Sequence, residues 1–177
     1  MPGGEIVVIG AGATDAADRF DLTERGRLAL EESEITLLQR SERVTIHDAV
    51  FAARSRIARV TPVELADRLV SDPPPVVVDT RTATDRARFG VIAGSIHVPR
   101  TVVEWHLDPA NGYRHPAVTS FDQSLVLVCN GGYSSSLAAA SLLDLGFTDV
   151  GDLVGGIRAW VGAGLDVVEP DHSHLDL

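Results

Sequence analysis

Cys129, the only cysteine of this 177-residue chain, stands where an apolar run meets a glycine-rich turn. Residues 125–129 are predicted to form a buried β-strand, and a helix is expected to begin near Ser135. Gly131 and Gly132 lie between them and permit unusual backbone angles. In such a turn several backbone N–H groups can point at one spot in front of a helix N-terminus, which favours an anion. The pattern indicates a nucleophilic thiol with a lowered pKa.

The residues that would form this anion cradle are the six that follow the cysteine. They are Asn130, Gly131, Gly132, Tyr133, Ser134 and Ser135. A second interpretation is an inert thiol buried at the end of a strand, because free cysteine is among the most buried residue types. The co-occurrence of strand, cysteine, glycine-rich turn and helix favours the nucleophile.

Composition limits the classes of function that the chain can have. Hydrophobic residues make up 45% and charged residues 23%, as in ordinary globular domains, and no apolar run approaches the roughly 18–20 residues that span a bilayer. The net charge of -10 argues against nucleic acid or an anionic membrane as the main partner. All 15 basic residues are Arg, which excludes a lysine base. The single cysteine and the absence of a signal-peptide pattern lead us to expect a cytoplasmic protein.

Strands and helices are predicted to alternate along the chain. Capping boxes at 45–48 and 61–64 predict helices that run to about residue 57 and residue 69. Further helices are expected at 82–89, 134–146 and 155–164, and strands at 76–79, 94–99, 125–129 and 149–154. Val63, Leu145 and Val161 are expected on the apolar faces of their helices. Alternation of this kind predicts an α/β fold, with a parallel sheet covered by helices on both faces. Residues 100–123 are expected to form a long, mostly irregular loop, a class of segment that is often functional.

Four motifs, in this order and spacing, resemble those of the rhodanese-like sulfurtransferases. They are Asp79-x-Arg81, the stretch 90–95, the six-residue loop 129–134 and the glycine pair Gly155–Gly156 with Trp160. The histidine usual in the second motif is absent. The resemblance implies a rhodanese-like fold with about five parallel strands. It divides the chain into an N-terminal extension (1–44), a domain (45–168, core 61–168) and a tail (169–177).

The resemblance also implies a chemistry. Cys129 would accept a sulfane sulfur from a small-molecule or protein donor, hold it as a persulfide and pass it to a thiol acceptor, without a cofactor. Ser134 ends the loop where many relatives have Arg, so we expect a weak reaction with dianionic thiosulfate. A phosphatase is disfavoured because Ser135 stands where the phosphate-binding Arg would be. The alternative function is a non-catalytic or regulatory binding module that retains its cysteine.

Outside the loop, Arg100 is the main candidate for substrate binding. It follows the predicted strand at 94–99, whose carboxyl end should face the same crevice as Cys129. Arg100 can equally pair with a surface carboxylate, and a contact between His106 and substrate is left open. Asp79 and Arg81 are predicted to be structural.

Three weaker signals lie near the ends of the chain. The sequence at 7–15 contains Gly10-x-Gly12, but Asp15 stands at the third glycine position of a dinucleotide fingerprint, so no cofactor is predicted. Residues 23–42 have the pattern of a helix. His172 and His174 are interpreted as part of a solvated tail and not as a metal site. None of these features indicates the oligomeric state.

Overall fold

The computed structural model describes residues 44–171, and the predictions for 1–43 and 172–177 lie outside that range. Its helices are α1 (Ile46–Arg54), α2 (Pro62–Leu69), α3 (Ala83–Phe89), α4 (Val103–Leu107), α5 (Ser134–Asp144) and α6 (Gly156–Gly162). Its strands are β1 (Ala58–Val60), β2 (Val76–Asp79), β3 (Ile96–His97), β4 (Leu125–Val128) and β5 (Val150–Leu153). A 3-10 turn (Arg100–Val102) precedes α4. Within this part of the chain, none of the helices has the length and apolarity that crossing a membrane requires.

The five strands form one parallel sheet in the order β1-β5-β4-β2-β3. The central strand β4 is buried throughout, and its side chains alternate between two hydrophobic clusters. Leu125 and Leu127 join a cluster with α1, α4 and α5, whereas Val126 and Val128 join one with α2 and α6. The predicted α/β fold with helices on both faces of a parallel sheet is therefore confirmed.

Both predicted capping boxes are present at the starts of α1 and α2. The first helix ends earlier than expected, at Arg54, and residues 58–60 form β1, an edge strand that the sequence interpretation missed. Three residues are too few to show the alternation that marks a strand. Val63, predicted to be buried on α2, is 61% exposed, and Leu65 supplies the fully buried contact of that helix.

Two further residues assigned to apolar helix faces are also exposed. Leu145 lies just beyond α5, and Val161 of α6 points outward. The buried face of α5 consists largely of small residues, so this helix packs close to the sheet. The long segment 100–123 contains α4 and is anchored by the buried side chains of Val103, Leu107 and Val118. Much of this segment is irregular, as predicted, but it packs firmly against the core.

A buried ion pair ties the end of β2 to α3 and the loop that follows it. Arg81 donates to both carboxylate oxygens of Asp79, with Nη2 2.6 Å from Oδ2, and also to the carbonyl of Gly90 at 2.7 Å. Both side chains are almost completely buried. These contacts confirm the structural role predicted for Asp79 and Arg81.

The turn between β5 and α6 passes close beneath the loop that follows β4. Gly156 has φ +62°, and a Cβ built there would lie 2.3 Å from the carbonyl oxygen of Cys129. The Ile157 amide donates to that same carbonyl at 2.9 Å. Only glycine permits both the left-handed backbone and this close approach.

Replacement of Gly156 by Ala is expected to lower the free energy of unfolding by about 2–4 kcal/mol, because it adds backbone strain and a clash with the Cys129 carbonyl. Urea denaturation followed by circular dichroism measures the change. Gly162→Ala is the matched control: it lies in the same helix, has open space around its Cα, and should be neutral or stabilising by up to about 1 kcal/mol. Equal stability of the two variants would contradict this explanation.

Candidate active site

Cys129 immediately follows β4, at the carboxyl end of the central strand of the sheet. In parallel α/β sheets this edge is where ligands bind. The side chain is 6% exposed, and the loop 129–134 leads from it directly into α5. The thiol therefore sits at the base of the loop, in front of the positive end of an eleven-residue helix.

Several hydrogen-bond donors converge on the Cys129 sulfur. The Gly132 amide lies 3.1 Å from Sγ, and the Ser135 hydroxyl lies 3.2 Å from it. Burial by itself would raise the pKa of the Cys129 thiol. Hydrogen bonds from the hydroxyls of Ser134 and Ser135 and from the amides of Ser135 and Gly131 outweigh burial and lower that pKa. The site thus stabilises a thiolate within a largely buried environment.

Two carbonyl groups of the loop are bound by other segments of the chain. The carbonyl of Cys129 accepts from the Ile157 amide, and the carbonyl of Gly132 accepts from Arg54 Nη2 at 2.6 Å. Gly132 has φ +71°, and a Cβ there would lie 2.7 Å from the Gly155 nitrogen. These contacts help fix the loop conformation in which the Gly132 amide faces the sulfur.

Arg54 gives this loop a neighbouring positive charge that the loop sequence lacks. Its guanidinium lies 5.0 Å from the centre of the Tyr133 ring, and its Nε donates to the Ser136 hydroxyl at 3.3 Å. Tyr133 is 58% exposed and covers the outside of the loop. The sequence interpretation missed Arg54, since 78 positions separate it from Gly132 and no local pattern links them.

Asp152, on β5 behind the loop, is a second residue that the sequence interpretation missed. Its carboxylate is completely buried. Oδ2 accepts from the hydroxyls of Ser135 at 3.2 Å and Ser136 at 2.6 Å, and Oδ1 accepts from Arg59 Nε at 2.9 Å. A carboxylate within a buried strand must be paired, so its position in the run 149–154 was a usable signal.

Asn130 has a structural contact that was not foreseen. Its Nδ2 donates to Asp85 Oδ2 at 3.0 Å, which connects the loop to α3. The hydrogen bonds from Asn130 and Thr82 lower the pKa of the Asp85 carboxyl. Of the predicted cradle residues, Gly131, Gly132, Ser134 and Ser135 hydrogen-bond to the Cys129 sulfur, whereas the side chains of Asn130 and Tyr133 face other partners. The contacts of residues 130–135 with a substrate stay predictions.

Arg100 is held by an acidic neighbour on α4. Its Nη1 lies 3.0 Å from Glu104 Oε1, and that same oxygen accepts from the Ser141 hydroxyl at 2.7 Å. This is the carboxylate pairing that the sequence left open for Arg100. Its contact with substrate, like that of His106, stays a prediction.

The profile of the rhodanese-like domain family matches residues 61–163 of this chain. A sulfurtransferase of Allochromatium vinosum is 33% identical over 107 residues, which are 60% of this chain and 91% of that protein. The thiosulfate sulfurtransferase GlpE of Pseudomonas savastanoi pv. phaseolicola is 41% identical over 66 residues, 37% of this chain and 59% of that protein.

Solved structures with a similar fold include a protein of unknown function from Rhodopseudomonas palustris, described as a possible tyrosine phosphatase. It has a TM-score of 0.66 and 30% identity, with 72% of this chain and 96% of that chain covered. A thiosulfate sulfurtransferase from Pseudomonas aeruginosa has a TM-score of 0.53 and 27% identity, covering 66% of this chain and 20% of that chain. The sequence motifs, the fold and the matched family agree: this chain belongs to the rhodanese-like domain family.

Proposed function

We propose that this chain transfers a sulfane sulfur from a donor to a thiophilic acceptor through a persulfide on Cys129. The observation that carries the proposal is the convergence of the Gly132 amide and the Ser135 hydroxyl on Sγ. Donors arranged in this way stabilise an anionic sulfur, whether it belongs to a thiolate or to a persulfide. Relatives named sulfurtransferases support this class of function.

The proposed cycle has two displacement steps. In the first, the Cys129 thiolate attacks the sulfane sulfur of the donor, the new S–S bond forms, and the remainder of the donor leaves with the bonding electron pair. In the second, an acceptor thiolate attacks the outer sulfur, and the electron pair of the broken S–S bond returns to Sγ. Donor and acceptor visit one nucleophile in turn, so a single cysteine is sufficient.

The donor class follows from the charges around the loop. Residues 129–134 carry no charged side chain. Arg54 donates to the Gly132 carbonyl, and Arg100 is paired with Glu104. A persulfide of a small thiol or of a protein therefore fits better than thiosulfate, which carries two negative charges. The same lack of a loop guanidinium argues against phosphoryl transfer, which requires charge stabilisation on three oxygens.

Incubation with a persulfide donor should add one sulfur atom to Cys129, because the loop donors stabilise the product. Intact-protein and peptide mass spectrometry locate the added atom, and a thiol acceptor should remove it. Cys129→Ser is the control and should gain nothing. If no adduct forms with any of glutathione persulfide, thiosulfate or mercaptopyruvate, the proposal is wrong and a non-catalytic binding module is favoured.

Cys129 should react with iodoacetamide with a pH midpoint below the ordinary cysteine value of about 8.5, because its pKa is lowered by the loop hydrogen bonds. The thiolate is then present at lower pH than in a free cysteine. Since the chain has one cysteine, alkylation reports on this site alone. The urea-unfolded protein is the control and should titrate at the ordinary value. A folded-state midpoint at or above the unfolded one is the contrary result.

Ser134→Arg should raise kcat/KM for thiosulfate about ten-fold or more, since one charge-assisted hydrogen bond contributes roughly 1.5–3 kcal/mol. The Ser134 side chain is exposed, so the change is sterically tolerable. Ser134→Gln is the matched control, similar in length but uncharged, and should not produce the gain. If both variants change the thiosulfate reaction equally, or neither does, loop charge does not set donor preference.

A further inference from the structure

The hydroxyl of Ser135 lies between two acceptors. Its oxygen is 3.2 Å from Cys129 Sγ on one side and 3.2 Å from Asp152 Oδ2 on the other. A serine hydroxyl has one proton to donate, so it can satisfy only one of these acceptors at a time. The contact with sulfur can run in either direction, because a thiol can donate to the Ser135 oxygen and a thiolate can accept from it.

Asp152 is fixed well enough to act as the competing acceptor. It is completely buried and is held by Arg59 at Oδ1 and by Ser136 at Oδ2. Ser135 is also completely buried, so no bulk water competes for its proton. The Asp152 carboxylate therefore stays in place while the hydroxyl of Ser135 turns.

We propose that Ser135 and Asp152 form a hydrogen-bond switch that changes orientation twice in each sulfur-transfer cycle. When Sγ carries negative charge, as the thiolate, the Ser135 hydroxyl donates to it. When Sγ becomes the inner, uncharged sulfur of the persulfide, the hydroxyl donates to Asp152 instead. Ser135 contacts the reacting atom, and Asp152 is a positioning residue that acts through it. The persulfide part of this inference rests on the proposed function.

The switch would matter most in the second displacement. There the S–S bond of the persulfide breaks and Sγ receives the bonding electron pair. Rotation of the Ser135 hydroxyl from Asp152 to Sγ stabilises this leaving thiolate without moving a proton between atoms. During the first displacement the same hydrogen bond makes the thiolate easier to form but less nucleophilic. By competing for the Ser135 proton, the Asp152 carboxylate limits how strongly the thiolate is stabilised. It thereby keeps the thiolate nucleophilic for the first displacement and still able to leave in the second.

Other charged groups around Cys129 have different partners. Arg54 on α1 contacts the Gly132 carbonyl, Asp85 on α3 contacts Asn130, and Arg59 on β1 contacts the far oxygen of Asp152. These groups contribute a constant field at the thiol. Among the contacts found within residues 44–171, the Ser135 hydroxyl is the one that joins Sγ to a buried carboxylate.

Asp152→Asn tests the switch directly. The Asn oxygen would face Arg59, and its NH2 group would face the serine hydroxyls, so Ser135 would donate to Sγ permanently. The alkylation midpoint of Cys129 should fall by about one pH unit, a ten-fold change in thiolate fraction at low pH. Transfer of sulfur from preformed persulfide to a thiol acceptor should become several-fold faster, and attack by the thiolate on the donor several-fold slower.

Ser135→Ala removes the hydroxyl that donates to the Cys129 thiolate. It should therefore raise the alkylation midpoint of Cys129 and slow the transfer of sulfur from the persulfide to the acceptor. In the Ser135→Ala background, Asp152→Asn should change both quantities much less, because only the direct effect of the Asp152 charge on the sulfur remains. A shift of the midpoint by Asp152→Asn that is equally large in both backgrounds would overturn the proposal. A parallel slowing of both steps by Asp152→Asn would overturn it as well.

Ser136→Ala provides a test that retains the buried charge. It removes the 2.6 Å hydrogen bond to Asp152 Oδ2, so this oxygen should hold the Ser135 hydroxyl more tightly and raise the alkylation midpoint. Ser141→Ala, on the same helix but bonded to Glu104, is the control and should leave the midpoint unchanged. An unchanged midpoint in Ser136→Ala contradicts the switch. Alkylation needs no sulfur transfer, so this readout is independent of whether the persulfide forms.

Discussion

The proposed chemistry depends on keeping a negatively charged sulfur stable where little water reaches it. A buried thiolate is costly unless hydrogen-bond donors face it. Here the donors are the Gly132 amide and the hydroxyl of Ser135, supported by the neighbouring amides and Ser134. The carbonyl groups of the same loop need partners elsewhere. Other segments provide partners for the carbonyls of Cys129 and Gly132.

Three segments distant in sequence hold the loop and the start of α5 around the sulfur. The start of α6 binds the Cys129 carbonyl, α1 supplies Arg54 to the Gly132 carbonyl, and β5 supplies Asp152 to the serines at the start of α5. Gly156 allows the close approach of the β5–α6 turn to the loop. The order of strands in the sheet makes this possible, because β4 lies directly beside β5. The main contribution of the fold to the site is therefore to fix the backbone of the loop that surrounds the Cys129 thiol.

Much of this arrangement was predictable from local sequence. The caps at Thr45 and Thr61, the buried strand before Cys129 and the loop that follows all depend on neighbouring residues. The alternation of predicted strands and helices indicated the parallel sheet, and the family resemblance implied about five strands. The contacts of Arg54 and Asp152 depend on residues brought together from distant positions, and a three-residue edge strand such as β1 has no periodicity to detect.

The exposed positions of Val63 and Val161 show a further limit of predicting buried helix residues from sequence periodicity. Helical spacing places a residue near an apolar face, but the width of that face is set by the partner against which the helix packs. The substrate contacts of residues 130–135 and Arg100 have a similar dependence, because they require the geometry of a bound donor. The structure gives the positions of these side chains, and their roles are measured by the reactions of the protein and its variants with sulfur donors.

A crystal structure determined after exposure to a persulfide donor would show whether the loop holds a sulfur atom on Cys129. We expect one additional sulfur about 2.05 Å from Cys129 Sγ, enclosed by the amides of residues 130–135. The Ser135 hydroxyl should then lie closer to Asp152 than to Sγ. An unmodified thiol, or an added sulfur directed out of the loop and away from those amides, would show that the loop does not stabilise a persulfide.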